Sequence, residues 1–146
     1  MEFYDKYKDT FDWCAFFDVD EFLFLNGECD NDINKFLAQE KFNDFEQIMI
    51  KWKMFGDDGY IERDMSIPVH EFFKINNYKR DLANSFLGKV IVRGGLEKLK
   101  FISCHGDGDF ISCLPSGKPY KSIRYILNYN GEKIFLNHYR TKTLKE

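Results

Sequence analysis

Several things are scarce or missing in this 146-residue chain, and each absence closes a class of function. The four cysteines, Cys14, Cys29, Cys104 and Cys113, form no C-x-x-C pair. That spacing argues against a zinc ribbon or a dithiol redox motif and predicts reduced, structural thiols in a cytosolic setting. No apolar run approaches the ~20 residues of a membrane span, and "MEFYDKYKDT" lacks the basic-then-apolar order of a signal peptide. The 21 basic and 24 acidic residues are interspersed, so no polybasic footprint points to nucleic acid or anionic lipid. There is no internal repeat, no low-complexity segment, no Walker loop, no G-x-G-x-x-G and no G-x-S-x-G.

What is present is apolar and aromatic material. With 44% hydrophobic and 18% aromatic residues, the chain can bury the core of one domain spanning residues 1–146. Periodicity sorts it into mixed elements. Phe3 to Lys8 reads as a helix end, and Trp13 to Phe17 is an apolar run of strand length. In "DNDINKFLAQE", Ile33, Phe36 and Leu37 fall at i, i+3, i+4, and Asp30 or Asp32 can cap a short amphipathic helix. In "EQIMIKWKMF", Ile48, Ile50, Trp52 and Met54 alternate as in a strand. "KVIVRGG", "KLKFISCHGDG" and "KIFLNHYRTK" are three further strand candidates. The expected class is α/β, with irregular connections after residue 56.

The chemistry concentrates in "WCAFFDVDEFLFL", where Asp18, Asp20 and Glu21 interrupt an apolar run. Carboxylates flanked by "CAFF" and "FLFL" cannot easily reach water, and a buried charge is costly unless paired or bound to metal. In an extended backbone, Asp18 and Asp20 point the same way and can meet one hard cation, while Val19 points the other way, into packing. Oxygen ligands favour Mg²⁺, Mn²⁺ or Ca²⁺ over zinc. Ligands of open α/β sheets bind beyond the carboxyl ends of the strands, and Asp18 follows directly on such an end. A plain solvated turn is the simpler alternative for D-V-D alone. "DNDIN" resembles the start of a calcium loop, but Lys35 stands where that loop needs Gly and Lys41 where it needs Glu. In "HGDGD", His105, Asp107 and Asp109 form a second acidic and histidine cluster that could bind metal, although a glycine-interrupted surface turn explains it with less.

"WCAFFDVDEFL" resembles the W-x-x-x-x-D-x-D-E-F segment of GT-A type glycosyltransferases related to families two and ninety-two, many of which build bacterial surface polysaccharides. Three later stretches agree in order: "WKMFGDDGY" with W-x-x-F-G-x-x-G, "GKVIVR" with a basic strand, and "LNHYRTKT" with N-H-Y-x-T-K-S. The resemblance covers about residues 11 to 146. It implies part of a GT-A fold, a mixed sheet with flanking helices. The motif stands so near the start that most of the N-terminal nucleotide-binding half is expected to be lacking. On that expectation the chain is a portion of a longer enzyme, binding donor weakly and turning over poorly by itself.

The implied activity is transfer of a sugar from a nucleotide-sugar donor to a hydroxyl of a glycan or lipid-linked acceptor, in surface polysaccharide or lipopolysaccharide synthesis. Asp18 and Asp20 are expected to hold Mn²⁺ or Mg²⁺ against the donor diphosphate, with His138 completing the metal site. Glu21, a strand neighbour facing away from both aspartates, is placed on the loop or on a donor hydroxyl. Lys142 can meet the phosphates as a point charge, as can Arg140. Asp57 and Asp58, in the glycine-bounded "FGDDGY", are the candidates for the base that takes the acceptor proton, although turn chemistry explains them equally. No transmembrane segment and no nucleic acid are implied, and the location is cytoplasmic, peripheral at the inner membrane face in a full-length protein. Two rival classes stay open. A metal-dependent phosphoesterase also wants Asp and His ligands, and a non-catalytic carbohydrate-binding module would use exposed aromatics such as Tyr60 and Tyr139.

Overall fold

The computed structural model describes residues 2–56, 60–73, 88–97, 104–105, 110–120 and 132–139. Among them are three short helices, α1 (Glu2–Tyr7), α2 (Ile33–Leu37) and α3 (Val69–Phe72). Seven strands accompany them: β1 (Trp13–Ala15), β2 (Glu21–Phe24), β3 (Gln47–Met54), β4 (Gly88–Arg93), β5 (Ser112–Cys113), β6 (Pro119–Tyr120) and β7 (Phe135–His138). The class is mixed α/β with a mixed sheet, as expected. Of the strand pairings among the described residues, only β3 with β5 and β3 with β7 are parallel. β1 with β4, β3 with β4, β2 with β7 and β5 with β6 are antiparallel.

β3 lies at the centre, in the order β1-β4-β3-β5-β6, and exchanges neighbours along its length. Gln47 to Lys51 pair with β4, and Trp52, Lys53 and Met54 pair with Leu136, Asn137 and His138 of β7. The main core gathers Phe36, Phe42, Ile48, Ile50, Ile91, Cys113 and Leu136. A second cluster joins Tyr4, Cys14, Met49, Val90 and Val92 on the other face of β3 and β4. Consecutive residues of β3 and β4 are therefore buried on both faces, as in a sheet covered on two sides.

Local chemistry explains several boundaries. The Asp32 carboxylate accepts from Asn34 N at 2.8 Å and from Lys35 N at 3.3 Å, so Asp32, not Asp30, caps α2. Asp30 sits with positive φ in the preceding turn. β1 ends at Ala15, two residues short of the expected Phe17, and Phe16 leaves the strand to pack against the second cluster. Arg93, the last residue of β4, donates from Nε to Phe45 O at 2.9 Å and stacks over the Trp13 ring at 4.2 Å. It thereby fixes β1 to the centre of the molecule. No helix among the described residues is long and apolar enough to cross a membrane.

Candidate active site

The three acids of the D-V-D-E stretch stand on a tight turn between β1 and β2. Glu21 N donates to Asp18 O at 3.0 Å, and Asp18 N donates to Glu21 Oε2 at 2.8 Å. The turn is thus closed twice, once by backbone and once by side chain. It also corrects the reading of Val19. Strand alternation does not apply across a turn, and Val19 is 97% exposed at its tip instead of packed.

β2 and β7 bring the predicted residues together. Their antiparallel register sets Glu21 opposite His138, and Tyr139 N donates to Asp20 O at 3.0 Å. His138 Nε2 lies 3.7 Å from Asp20 Oδ1, and Nδ1 lies 3.9 Å from Glu21 Oε1. The Trp52 ring packs on the His138 ring at 4.6 Å and on the His105 ring at 5.3 Å, so the imidazole is braced on its other flank. Asp18 lies apart from His138. Its Oδ2 accepts from Lys89 Nζ at 3.1 Å.

Lys89 is the residue the sequence reading passed over. Within "GKVIVR" it looks like one polar position of a strand, yet its side chain is only 3% exposed. A lysine in a strand covered on both faces needs a carboxylate nearby, and that requirement was the available signal. It is met by Asp18 and by Glu21, whose fully buried Oε2 is 3.8 Å from Nζ, while Cys104 Sγ accepts from Nζ at 3.1 Å. Burial pulls the lysine pKa down, but the hydrogen bonds to Cys104 and Asp18 and the charge of Glu21 outweigh it, leaving a net upward shift. Lys89 is therefore an ammonium group at neutral pH.

Glu21 does not face away from the aspartates' surroundings, as expected from strand alternation. It shares Lys89 with Asp18 and His138 with Asp20. The result is a chain of alternating charge and dipole: Asp18, Lys89, Glu21, His138, Asp20. Glu21 Oε1 and Trp52 Nε1 are buried in it without hydrogen-bond partners among the described residues. At the β4 end, a Cβ on Gly88 would stand 2.1 Å from Ile50 O, so only glycine lets β4 approach β3 this closely. Gly88 O meets His105 Nδ1 at 2.7 Å, which ties the turn at Cys104 and His105 to the same strand end.

Asp20 Oδ1 and His138 Nε2 stand 3.7 Å apart. Two ligands of one ion at Mg²⁺-like bond lengths stand roughly 3.0 Å apart when adjacent and roughly 4.2 Å when opposite, so the pair would have to shift by a few tenths of an ångström to share one. Asp18 does not join them in this arrangement. Among the described residues no group of three or more His, Cys, Asp or Glu side chains converges on one metal position. The Asp18 side chain is 63% exposed. Asp57, Asp58, Asp107, Asp109, Arg140 and Lys142 lie outside the described residues. Asp57 and Asp58 follow directly on Gly56, just past Phe55, whose N–H donates to His138 O at 2.9 Å. Tyr139, named as an exposed aromatic, is instead buried and stacks on Phe55 at 4.7 Å, whereas Tyr60 is half-exposed.

A mixed α/β sheet presenting paired carboxylates and a histidine at its strand ends is an arrangement suited to an enzyme that handles a charged substrate. The family comparison matches residues 5–145 to glycosyltransferase family 92. The chain belongs to glycosyltransferase family 92. No curated protein and no solved structure matches it.

Proposed function

We propose that this chain is the metal-dependent catalytic portion of a glycosyltransferase acting on a nucleotide-sugar donor, within a GT-A type fold. Family membership supports glycosyl transfer in general. The observation that carries the finer reading is the Asp20–His138 pair, presented across the β2–β7 register with 3.7 Å between Oδ1 and Nε2.

In this reading Asp20 and His138 hold Mn²⁺ or Mg²⁺ and Asp18 completes the set on turning from Lys89. When bound, such a cation supplies Lewis-acid neutralisation of the charge that grows on the departing nucleoside diphosphate. The rest falls to the protein. Glu21 holds the D-V-D turn through Asp18 N and is too deeply buried to touch donor in this arrangement. Trp52 keeps the imidazole of His138 from rotating. In the transfer, the bond from the anomeric carbon to the donor phosphate oxygen breaks, a bond to the acceptor oxygen forms, and the acceptor proton passes to a carboxylate. Asp57 or Asp58 is the proposed base, and Lys142 the proposed phosphate contact. The acceptor is a glycan or lipid-linked glycan of a surface polysaccharide, handled on the cytoplasmic side of a membrane.

The test is a transfer assay over a panel of nucleotide-sugars, with and without chelator, on the wild type and on Asp20→Asn and His138→Ala. The proposal expects donor-dependent nucleoside diphosphate release that chelator and both substitutions abolish. Phosphate release from simple esters without sugar transfer would instead indicate a phosphoesterase. Glycan binding indifferent to metal would indicate a binding module, a reading that the burial of Tyr139 already weakens.

A further inference from the structure

We infer that Lys89 is a built-in counter-cation that competes with the divalent ion for Asp18, so that metal binding requires this carboxylate to leave the ammonium group. The inference rests on the metal reading proposed above and deepens it by naming what governs the affinity of the site.

Three observations carry it. Lys89 cannot move far, because its side chain is 3% exposed and Nζ is held at once by Asp18, Glu21 and Cys104. Asp18 can move, because its side chain is 63% exposed on the turn and, among the described residues, its one side-chain tie is to Nζ at 3.1 Å. Glu21 stays behind when Asp18 leaves, because its buried carboxylate is fastened to Asp18 N at 2.8 Å. The ammonium group is then never left without a counter-charge, which would be prohibitive in a buried position. Asp18 therefore has two alternative cations and low rotational cost between them, while the partner of the first is permanently secured.

The charge balance agrees. With Lys89 protonated and His138 neutral, three carboxylates face one ammonium, and the remaining double negative charge is what one divalent ion cancels. Removing the lysine charge leaves the site one charge more negative and Asp18 without a rival partner. Affinity for a divalent ion must then rise. If Lys89 only braced the turn, its removal would loosen Asp18 and affinity would fall. The two roles predict opposite signs.

The experiment is titration of the full chain with Mn²⁺ alone, reading free Mn²⁺ by electron paramagnetic resonance. The expected result for Lys89→Met is binding about tenfold tighter than wild type, with Lys89→Arg within about twofold of it. Lys89→Met strands the buried Glu21 charge and can compromise folding, so Lys89→Met/Glu21→Gln is titrated in parallel. A glutamine oxygen still accepts from Asp18 N, and this neutral pair is expected to bind severalfold tighter than wild type. Mn²⁺ binding by wild type that is unchanged or weakened in folded Lys89→Met or in the folded double variant overturns the inference and leaves the metal reading standing. No Mn²⁺ binding in any of these proteins, together with sugar transfer that survives chelator, overturns both.

Discussion

The first half of β3, Gln47 to Ile50, is fully buried, and the second half, Lys51 to Met54, is only partly so. The first half pairs with β4 and β5 and contributes Ile48 and Ile50 to the main core. The second half pairs with β7, and its Trp52 packs on His138. One strand thus serves the fold with one end and the candidate site with the other. What separates them is the exchange of neighbours at Lys51 and Trp52, where β4 begins at Gly88 and β7 comes alongside. A site at that exchange gains side chains from β2, β4 and β7 at once without loosening the apolar centre.

That division can be broken from either side. The largest effect is expected from Ile50→Ala, which opens a cavity at a fully buried position. It should lower unfolding free energy by about 2–5 kcal/mol in a urea titration, with activity per folded molecule unchanged. In the second half the balance reverses. His138→Ala should reduce transfer at least about 100-fold, about 2.7 kcal/mol of barrier, and cost clearly less stability than Ile50→Ala. Equal losses of stability from the two would mean that β3 is not divided in this way.

A third effect belongs to the apolar side alone. Burial pushes the Cys113 thiol on β5 up to about 12, and the Tyr120 phenol on β6 likewise up to about 12. Both groups are neutral in the folded state at pH values where the unfolded chain ionises them, so the unfolded state binds fewer protons there. The stability they contribute is complete below about pH 9, the ordinary thiol range, and is lost as pH rises toward 12. Urea midpoints measured from pH 8 to pH 11 should therefore fall, and a flat profile would contradict the burial of the Cys113 thiol and the Tyr120 hydroxyl. The smallest effect is expected at the turn. Val19→Ser should change stability by less than about 0.5 kcal/mol, because the side chain is 97% exposed.

The same division decided what could be read in the sequence. Period-two alternation located β3, the short apolar runs located β4 and β7, and Asp32 announced α2, because each of these is a local signal. That His138 comes near Asp20 was expected from the family resemblance and not from any local pattern. Strand direction was not legible, since an apolar pattern reports which faces of a strand are buried and not which way its neighbours run. Val19 and Glu21 were misplaced because alternation was carried through a turn. Lys89 was missed because its partner in the site lies 71 residues away in the chain, and nothing local distinguishes a paired buried lysine from a solvated one.

The central claim is that Asp20 and His138 form the cation end of a donor-diphosphate site. Its most direct test is a calorimetric titration of Mn²⁺ into the chain, with and without UDP, for the wild type and Asp20→Asn. The account predicts that UDP tightens Mn²⁺ binding at least tenfold in the wild type and has no effect in Asp20→Asn, as expected when diphosphate and protein share one ion. Mn²⁺ binding that is equally strong in Asp20→Asn, or that ignores UDP in the wild type, would contradict it.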